Sequence, residues 1–166
     1  MKRFTALLFA FVCTGIYSLV SAQSTMETAS ASTVHVFRLK PHEDLKKALT
    51  AWAKQHKIKA AVILTCAGSL EQYALRFANQ ENGTVKRGHF EIVSLTGTLS
   101  DESAHIHMAV SDSTGQTTGG HLLDNNLIYT TAEIAIAELN DVTFDRETDS
   151  TYGYKELVVR RRKKKP

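Results

Sequence analysis

The sequence predicts an α+β fold in which one helix packs on a largely antiparallel β-sheet. Only one segment repeats its apolar residues at helical spacing, whereas many short runs carry β-branched and aromatic residues. Turn signals separate these runs, for example Asn82-Gly83 and the stretch 112–115. Because short turns join antiparallel neighbours, we expect the strands to form one sheet within a single domain.

The elements follow one another along the chain. A first strand is expected at 34–39, followed by a helix over about 43–56 with Trp52 on its buried face. The later strands are expected at 60–66, 70–78, 90–95, 105–110, 116–122, 128–139 and 152–159. Gly68 and Ser69 are expected to separate the first two of these strands.

The two ends of the chain are expected to lie outside this domain. Residues 1–22 combine a basic start, a mostly apolar run and a small-residue cleavage pattern, which is typical of a signal peptide. A retained membrane anchor is the alternative, because the apolar run is just long enough to span a bilayer. Residues 23–33 indicate a flexible linker, 34–159 the domain, and 160–166 a basic tail. We therefore expect an exported protein, periplasmic or extracellular.

Charge is unevenly distributed along the chain. The whole sequence has 20 basic and 17 acidic residues. Two basic residues belong to the predicted signal peptide and six to the tail, so the rest of the chain has 12 basic residues against 17 acidic ones. An acidic body repels a phosphate backbone, which argues against nucleic acid as a partner. The tail is either a solvated end or a contact for anionic surfaces such as lipid or polysaccharide.

Three of the seven histidines are expected to converge. His105 and His107 are two residues apart on a predicted strand and therefore share a face. The centre of the following turn predicts a hairpin in which His121 lies opposite His105. Three neutral imidazoles suit Zn²⁺ or a similar divalent metal, and Gly119 and Gly120 leave room for a ligand. The alternative is a set of polar residues on a solvated strand, and a one-residue slip in register would turn His121 away.

Three other charged residues lie within otherwise apolar strands, namely Arg76, Glu91 and Glu133. A charge among apolar residues needs either a partner or a task. Arg76 is a candidate for binding an anionic substrate, and either glutamate is a candidate for carrying a proton. The alternative is that each side chain is exposed or pairs with another charge.

Several segments taken together resemble the PPC domain (plants and prokaryotes conserved, also called PCC). They include Gly-His-Phe-Glu-Ile at 88–92, His-Ile-His at 105–107 and Gly-Gly-His-Leu at 119–122, within a resemblance that covers about 34–139. The resemblance implies an antiparallel sheet with a packed helix, assembled as a homotrimer. Plant members of the family bind DNA through a separate Arg-Gly-Arg-Pro hook, and this chain does not contain one.

The same fold is similar to that of acetolactate decarboxylase, a zinc enzyme whose metal is held by a His-x-His pair and a third histidine. That pattern matches His105, His107 and His121 and implies a zinc site, although a shared fold does not determine the chemistry. The leading hypothesis is an exported, trimeric binding module with a three-histidine metal or small-ligand site. The alternatives are a metal-dependent enzyme acting on a small carboxylated substrate and, disfavoured by export and charge, a DNA-binding protein.

Overall fold

Eight strands and one helix make up residues 27–162, the part of the chain that the computed structural model describes. The elements are β1 Ser32–Leu39, α1 Leu45–Gln55, β2 Ala61–Arg76, β3 Thr84–Leu99, β4 Ala104–Ser111, β5 Thr117–Leu122, β6 Leu127–Leu139, β7 Val142–Thr148 and β8 Lys155–Arg161. The predicted signal peptide lies outside the described residues, as does the end of the predicted tail. Within 27–162, no helix has the length and apolar character needed to cross a membrane.

Six strands form one antiparallel sheet in the order β1-β6-β2-β3-β4-β5. The end of β2 also pairs with β5, where Leu75 lies opposite Leu122 and Arg76 opposite His121. The sheet therefore curls back on itself at this end. The remaining strands, β7 and β8, form a separate antiparallel hairpin. The predicted fold class, a mostly antiparallel sheet with one helix in a single domain, is confirmed.

The helix covers one face of this sheet. Asp44 caps it by accepting hydrogen bonds from the backbone N–H groups of Lys46 and Lys47, which the first turn of a helix leaves without partners. Leu45, Leu49 and Ala53 follow at four-residue spacing, so they form a single apolar stripe, and all three are buried. The helix thus encloses the core against the sheet and leaves the opposite face of the strands uncovered by α1.

The strands predicted at 60–66 and 70–78 form the single 16-residue strand β2. Gly68 lies inside this strand, and glycine is required there by close packing against a neighbouring strand and not by a turn. A Cβ at position 68 would lie 2.2 Å from the backbone oxygen of Thr131 on β6, so only glycine lets the two strands approach. A lone glycine between apolar runs is ambiguous in sequence, because a turn and a close strand contact both require it.

Strand β7 is absent from the sequence prediction, and β8 extends beyond the predicted domain end. Val142 and Phe144 are buried and alternate with more exposed neighbours, as expected of a strand. In a run of only seven residues, this alternation is too short to stand out in the sequence. The first two residues of the predicted tail belong to β8. Arg160 is held there by Asp145, 2.6 Å away, and by Glu147.

Candidate metal centre

Three histidine side chains converge on the sheet face opposite the helix. One ring nitrogen from each of His105, His107 and His121 lies within 4.8 Å of the others. The Nε2 atoms of His105 and His107 are 3.2 Å apart, and the ring of His121 is centred 5.2 Å from that of His105 and 5.5 Å from that of His107. The convergence that the sequence predicted is therefore present in the fold.

Strand alternation places the first two rings on this face. Ile106 and Met108 point into the core, so His105 and His107 point outward from the same strand. His121 lies opposite His107 in the β4–β5 register, whereas the sequence prediction paired it with His105. That pairing was wrong by two residues. A shift of two leaves a side chain on its original face, and the cluster forms for that reason.

The turn between β4 and β5 explains the shift. The backbone N–H of Asp112 donates to the carbonyl of Gln116, so the turn is centred on Thr114, whereas pairing His121 with His105 would require a centre at Ser113. The Asp112 carboxylate accepts hydrogen bonds from the backbone N–H groups of Thr114 and Gln116. Gly115 takes the left-handed backbone conformation (φ 81°) that this loop requires.

The two glycines before His121 do not serve the purpose that the sequence suggested. A Cβ at Gly120 would lie 2.7 Å from the backbone oxygen of Arg76, and one at Gly119 would lie 3.1 Å from that of Met108. They make room for neighbouring strands and not for a ligand. Gly120 in particular allows β5 to close against the end of β2, which brings Arg76 opposite His121.

The electrostatic surroundings favour neutral rings. Burial, followed by the nearby charges of His105 and Arg76, lowers the pKa of His121 to about 4. Burial is also the main reason that the pKa of His105 is lowered, with Arg146 contributing next. A neutral imidazole has the free nitrogen lone pair that a metal requires. In addition, Nδ1 of His121 is buried and has no hydrogen-bond partner within residues 27–162, and leaving such an atom unpaired costs about 1–3 kcal/mol.

A cleft of about 1100 Å³ opens beside the cluster, between the sheet and the β7–β8 hairpin. Its sheet side includes Arg76, His105 and His121, and its hairpin side includes Arg146 and Glu156. Arg76 was predicted as a site residue, and the fold brings it next to the histidines.

The two glutamates of the same prediction do not line this cleft. Glu91 lies opposite Ser111 on β4, four residues beyond His107, which corresponds to about 13 Å along a strand. Glu133 lies on β6 opposite Arg38 of β1, on the other side of β2 from the histidine strands. Both side chains are exposed, which accounts for their charge, so their assignment as proton carriers at this site is not supported.

Two residues of the hairpin join the site without having been predicted. The Arg146 guanidinium donates to Thr98 Oγ1 at 3.3 Å and to the backbone oxygen of Lys155 at 3.4 Å, and Thr98 is the cross-strand partner of His105. Glu156 also lines the cleft, and its negative charge acts to raise the pKa of His105. The alternation of buried and exposed residues in β7 was the signal that could have predicted the hairpin side of the cleft.

Comparison with known proteins identifies close relatives. Two bifunctional proteins GlmU from Synechococcus strains are 41% and 40% identical to this chain over 126 residues, or 76% of its length. The chain spans only 20% of the length of these relatives. A hypothetical protein from Salmonella cholerae-suis has a solved structure with a TM-score of 0.81 and 39% identity, covering 82% of this chain and 99% of that one.

Two more distant structures share the fold. One, from Bacteroides thetaiotaomicron, is provisionally assigned as a DNA-binding protein and has 24% identity and a TM-score of 0.66 over 79% of this chain and 98% of that one. The other, from Archaeoglobus fulgidus, is described as a metal-containing protein and has 22% identity and a TM-score of 0.68 over 80% of this chain and 99% of that one. Residues 26–140 match the Plants and Prokaryotes Conserved (PCC) domain, and the chain therefore belongs to the PCC domain family.

Proposed function

We propose that this chain is an exported PCC-domain protein that binds a divalent metal, preferably Zn²⁺, through His105, His107 and His121, and that acts as a trimeric binding module. The observation that carries the proposal is the convergence of three ring nitrogens within 4.8 Å. Nitrogens on a tetrahedral zinc ion are about 3.3 Å apart, close to the 3.2 Å between the Nε2 atoms of His105 and His107.

The chemistry of the donor set supports a metal as well. The lowered pKa values of His105 and His121 favour the unprotonated rings, and the unpaired Nδ1 of His121 marks a polar group without a partner among the described residues. A metal with three histidine ligands keeps a position open for water or a ligand, and it supplies Lewis-acid activation there. The fold is compatible with a metal, since the Archaeoglobus protein that shares it is described as metal-containing.

A metal-dependent enzyme acting on a small carboxylated substrate is the second candidate. It is favoured by Arg76 and Glu156, which line the same cleft as two of the histidines. The guanidinium of Arg76 would bind the substrate carboxylate, and the carboxylate of Glu156 would be available to exchange a proton. Turnover of small carboxylic acids by the zinc-loaded protein would distinguish this enzyme from a binding module.

Nucleic acid is not part of the proposal. Between the predicted signal peptide and tail, acidic residues outnumber basic ones, 17 to 12. Arg160, at the start of the basic run, is engaged by Asp145 and Glu147 and thus is not available to a phosphate. Contact of the terminal basic residues with anionic lipid or polysaccharide remains the proposed use of that run.

Metal analysis tests the proposed site directly. Protein purified without added chelator is expected to hold about one zinc ion per chain, because three converging imidazole donors bind zinc strongly. The variant His105→Ala is expected to lose most of this metal, whereas His89→Ala, which removes an exposed ring stacked on Tyr129, is expected to keep it. Wild-type protein that takes up no metal, or equal metal in both variants, would contradict the proposal.

The proposed trimer is supported by apolar side chains on the face that the helix leaves open. Val34 is 54% exposed, Val36 76% and Leu64 53%. Val34 and Val36 lie on β1 opposite Ala137 and Ala135 of β6, which in turn border β2, where Leu64 lies. Contiguous exposed apolar residues mark surfaces that associate, and a second copy is the partner that the family resemblance implies.

A charge placed in this face is expected to separate the subunits. The wild-type protein should have three times the mass of one chain by light scattering after size exclusion, and Val36→Lys should have the mass of one, because burying an unpaired ammonium opposes association. Val85→Lys is the matched control, since Val85 is 58% exposed but lies near the other end of β2, opposite Ala74. A monomeric wild type, or a trimeric Val36→Lys variant, would exclude this assembly surface.

A further inference from the structure

Two arginines flank the histidine cluster from opposite sides. Arg76, at the end of β2, is the cross-strand partner of His121 on β5. Arg146, on the hairpin, donates to Thr98 of β3, which is the cross-strand partner of His105 on β4. Because the strands run β2-β5-β4-β3 around this end of the sheet, the histidines lie between the two arginines.

Both guanidinium groups retain donors for a ligand. Among the described residues, Arg76 makes one long hydrogen bond, 3.4 Å to the backbone oxygen of Gln80, and Arg146 bonds only to neutral oxygens. Within residues 27–162, neither of the two forms an ion pair with a carboxylate. Arg160 lines the same cleft but is bound by Asp145 and Glu147. The cleft thus contains one neutralised arginine and two half-buried arginines that have no carboxylate partner among the described residues.

The charges around the cluster set the charge of the ligand. The charged side chains that line the cleft balance one another, with Arg76, Arg146, Lys155 and Arg160 against Glu102, Asp145, Glu147 and Glu156. A bound divalent metal would therefore give the cleft a net charge of about +2. A single carboxylate can satisfy only one of two guanidiniums that lie on opposite sides of the metal. A ligand with two carboxylates offers one to each guanidinium, and planar guanidinium groups bind carboxylates with two parallel hydrogen bonds.

We infer that the cleft binds a small dicarboxylate, with one carboxylate at Arg76, the other at Arg146 and an oxygen within reach of the metal. This inference rests on the proposed metal site and deepens it by naming the class of ligand. It also assigns a role to the β7–β8 hairpin, which lies beyond the residues matched to the PCC domain. Arg146 on this hairpin then determines specificity for the second carboxylate.

Succinate and butyrate form a matched pair of probes, because both have four carbons and butyrate has a methyl group in place of one carboxylate. We expect the zinc-loaded full chain to bind succinate about tenfold or more tightly than butyrate at equal ionic strength, measured by calorimetry. Arg76→Gln and Arg146→Gln are each expected to weaken succinate binding about tenfold or more and to leave butyrate binding less affected. Arg161→Gln is the control, since it removes the same charge from an exposed position outside the cleft.

Zinc content is measured on the same samples, so that failure of the metal-site proposal can be distinguished from failure of the dicarboxylate inference. Wild-type protein that retains zinc but binds succinate no more tightly than butyrate would overturn the dicarboxylate inference and leave the metal site standing. Unchanged succinate binding in Arg146→Gln, with zinc content showing that the site is intact, would overturn it in the same way. Wild-type protein without zinc would overturn both.

Discussion

Saturating zinc is expected to raise the thermal unfolding temperature of the wild-type protein by about 10 °C at a free concentration of 100 times the dissociation constant. A ligand that binds only the folded state stabilises it by about 2.7 kcal/mol under those conditions. His121→Ala is expected to abolish this rise, because it removes the donor that links β5 to the β4 pair. Differential scanning calorimetry with and without zinc measures both effects. We also expect the zinc affinity of this variant to fall at least about 100-fold. Removing a residue that merely hydrogen-bonds to a metal ligand already lowers metal affinity by up to about 100-fold, and His121 is a proposed ligand itself.

Two measurements distinguish loss of the metal site in His121→Ala from a folding defect. Without metal, His121→Ala is expected to be within about 1 kcal/mol of the wild type, because the lost packing is offset by removal of the unpaired buried Nδ1. His89→Ala is expected to keep the full zinc-dependent rise. A zinc-dependent rise of wild-type size in His121→Ala would show that the ion binds elsewhere.

Asn126→Ala is expected to lower the free energy of unfolding by about 3 kcal/mol, which is large for a single side chain. Asn126 is fully buried in the loop between β5 and β6. Its Oδ1 accepts a hydrogen bond from the backbone N–H of Ala74 at 2.9 Å, and its Nδ2 donates to the backbone oxygens of Ala74 and Leu123. Alanine would leave these buried groups without their partner. Equilibrium unfolding in urea measures the loss.

The same variant tests whether the sheet closure positions the metal ligands. Ala74 directly precedes the residues of β2 that pair with Leu122 and His121, so loosening this loop should also weaken zinc binding. Asn82→Ala is the control, because Asn82 is an exposed turn residue for which we expect a change below about 0.5 kcal/mol. A loss below about 1 kcal/mol in Asn126→Ala would mean that water replaces the amide and that the loop does not depend on it.

Local patterns in the sequence were sufficient for much of the architecture. The helical spacing of the apolar residues Leu45, Ala48, Leu49 and Trp52 predicts the helix, because residues at that spacing share one side of it. The alternation around Ile106 predicts that His105 and His107 point the same way. These inferences succeed since they depend only on the repeat of a helix or a strand, which is a property of consecutive residues.

Inferences that depended on contacts between distant segments were less successful. Gly68 was interpreted as a break because its neighbour Thr131 is 63 residues away in the sequence. Glu91 and Glu133 were assigned to the site from their charge alone. The charge of a residue contains no information about its distance from the histidines in the folded sheet. Arg146 was missed because its strand is short and its role comes from docking on Thr98 of another sheet.

By itself, the sequence determined the fold class and the face on which the three histidines lie, because strand alternation and turn-forming residues act over a few consecutive positions. Its motifs at 88–92, 105–107 and 119–122 carried the resemblance to the family. The tertiary structure alone decided the pairing of His107 with His121, the placement of Arg76 beside them and the hairpin wall that carries Arg146. The physical reason is that strand register and closure depend on how closely backbones from remote segments can approach, as at Gly120, and a local pattern does not contain that information.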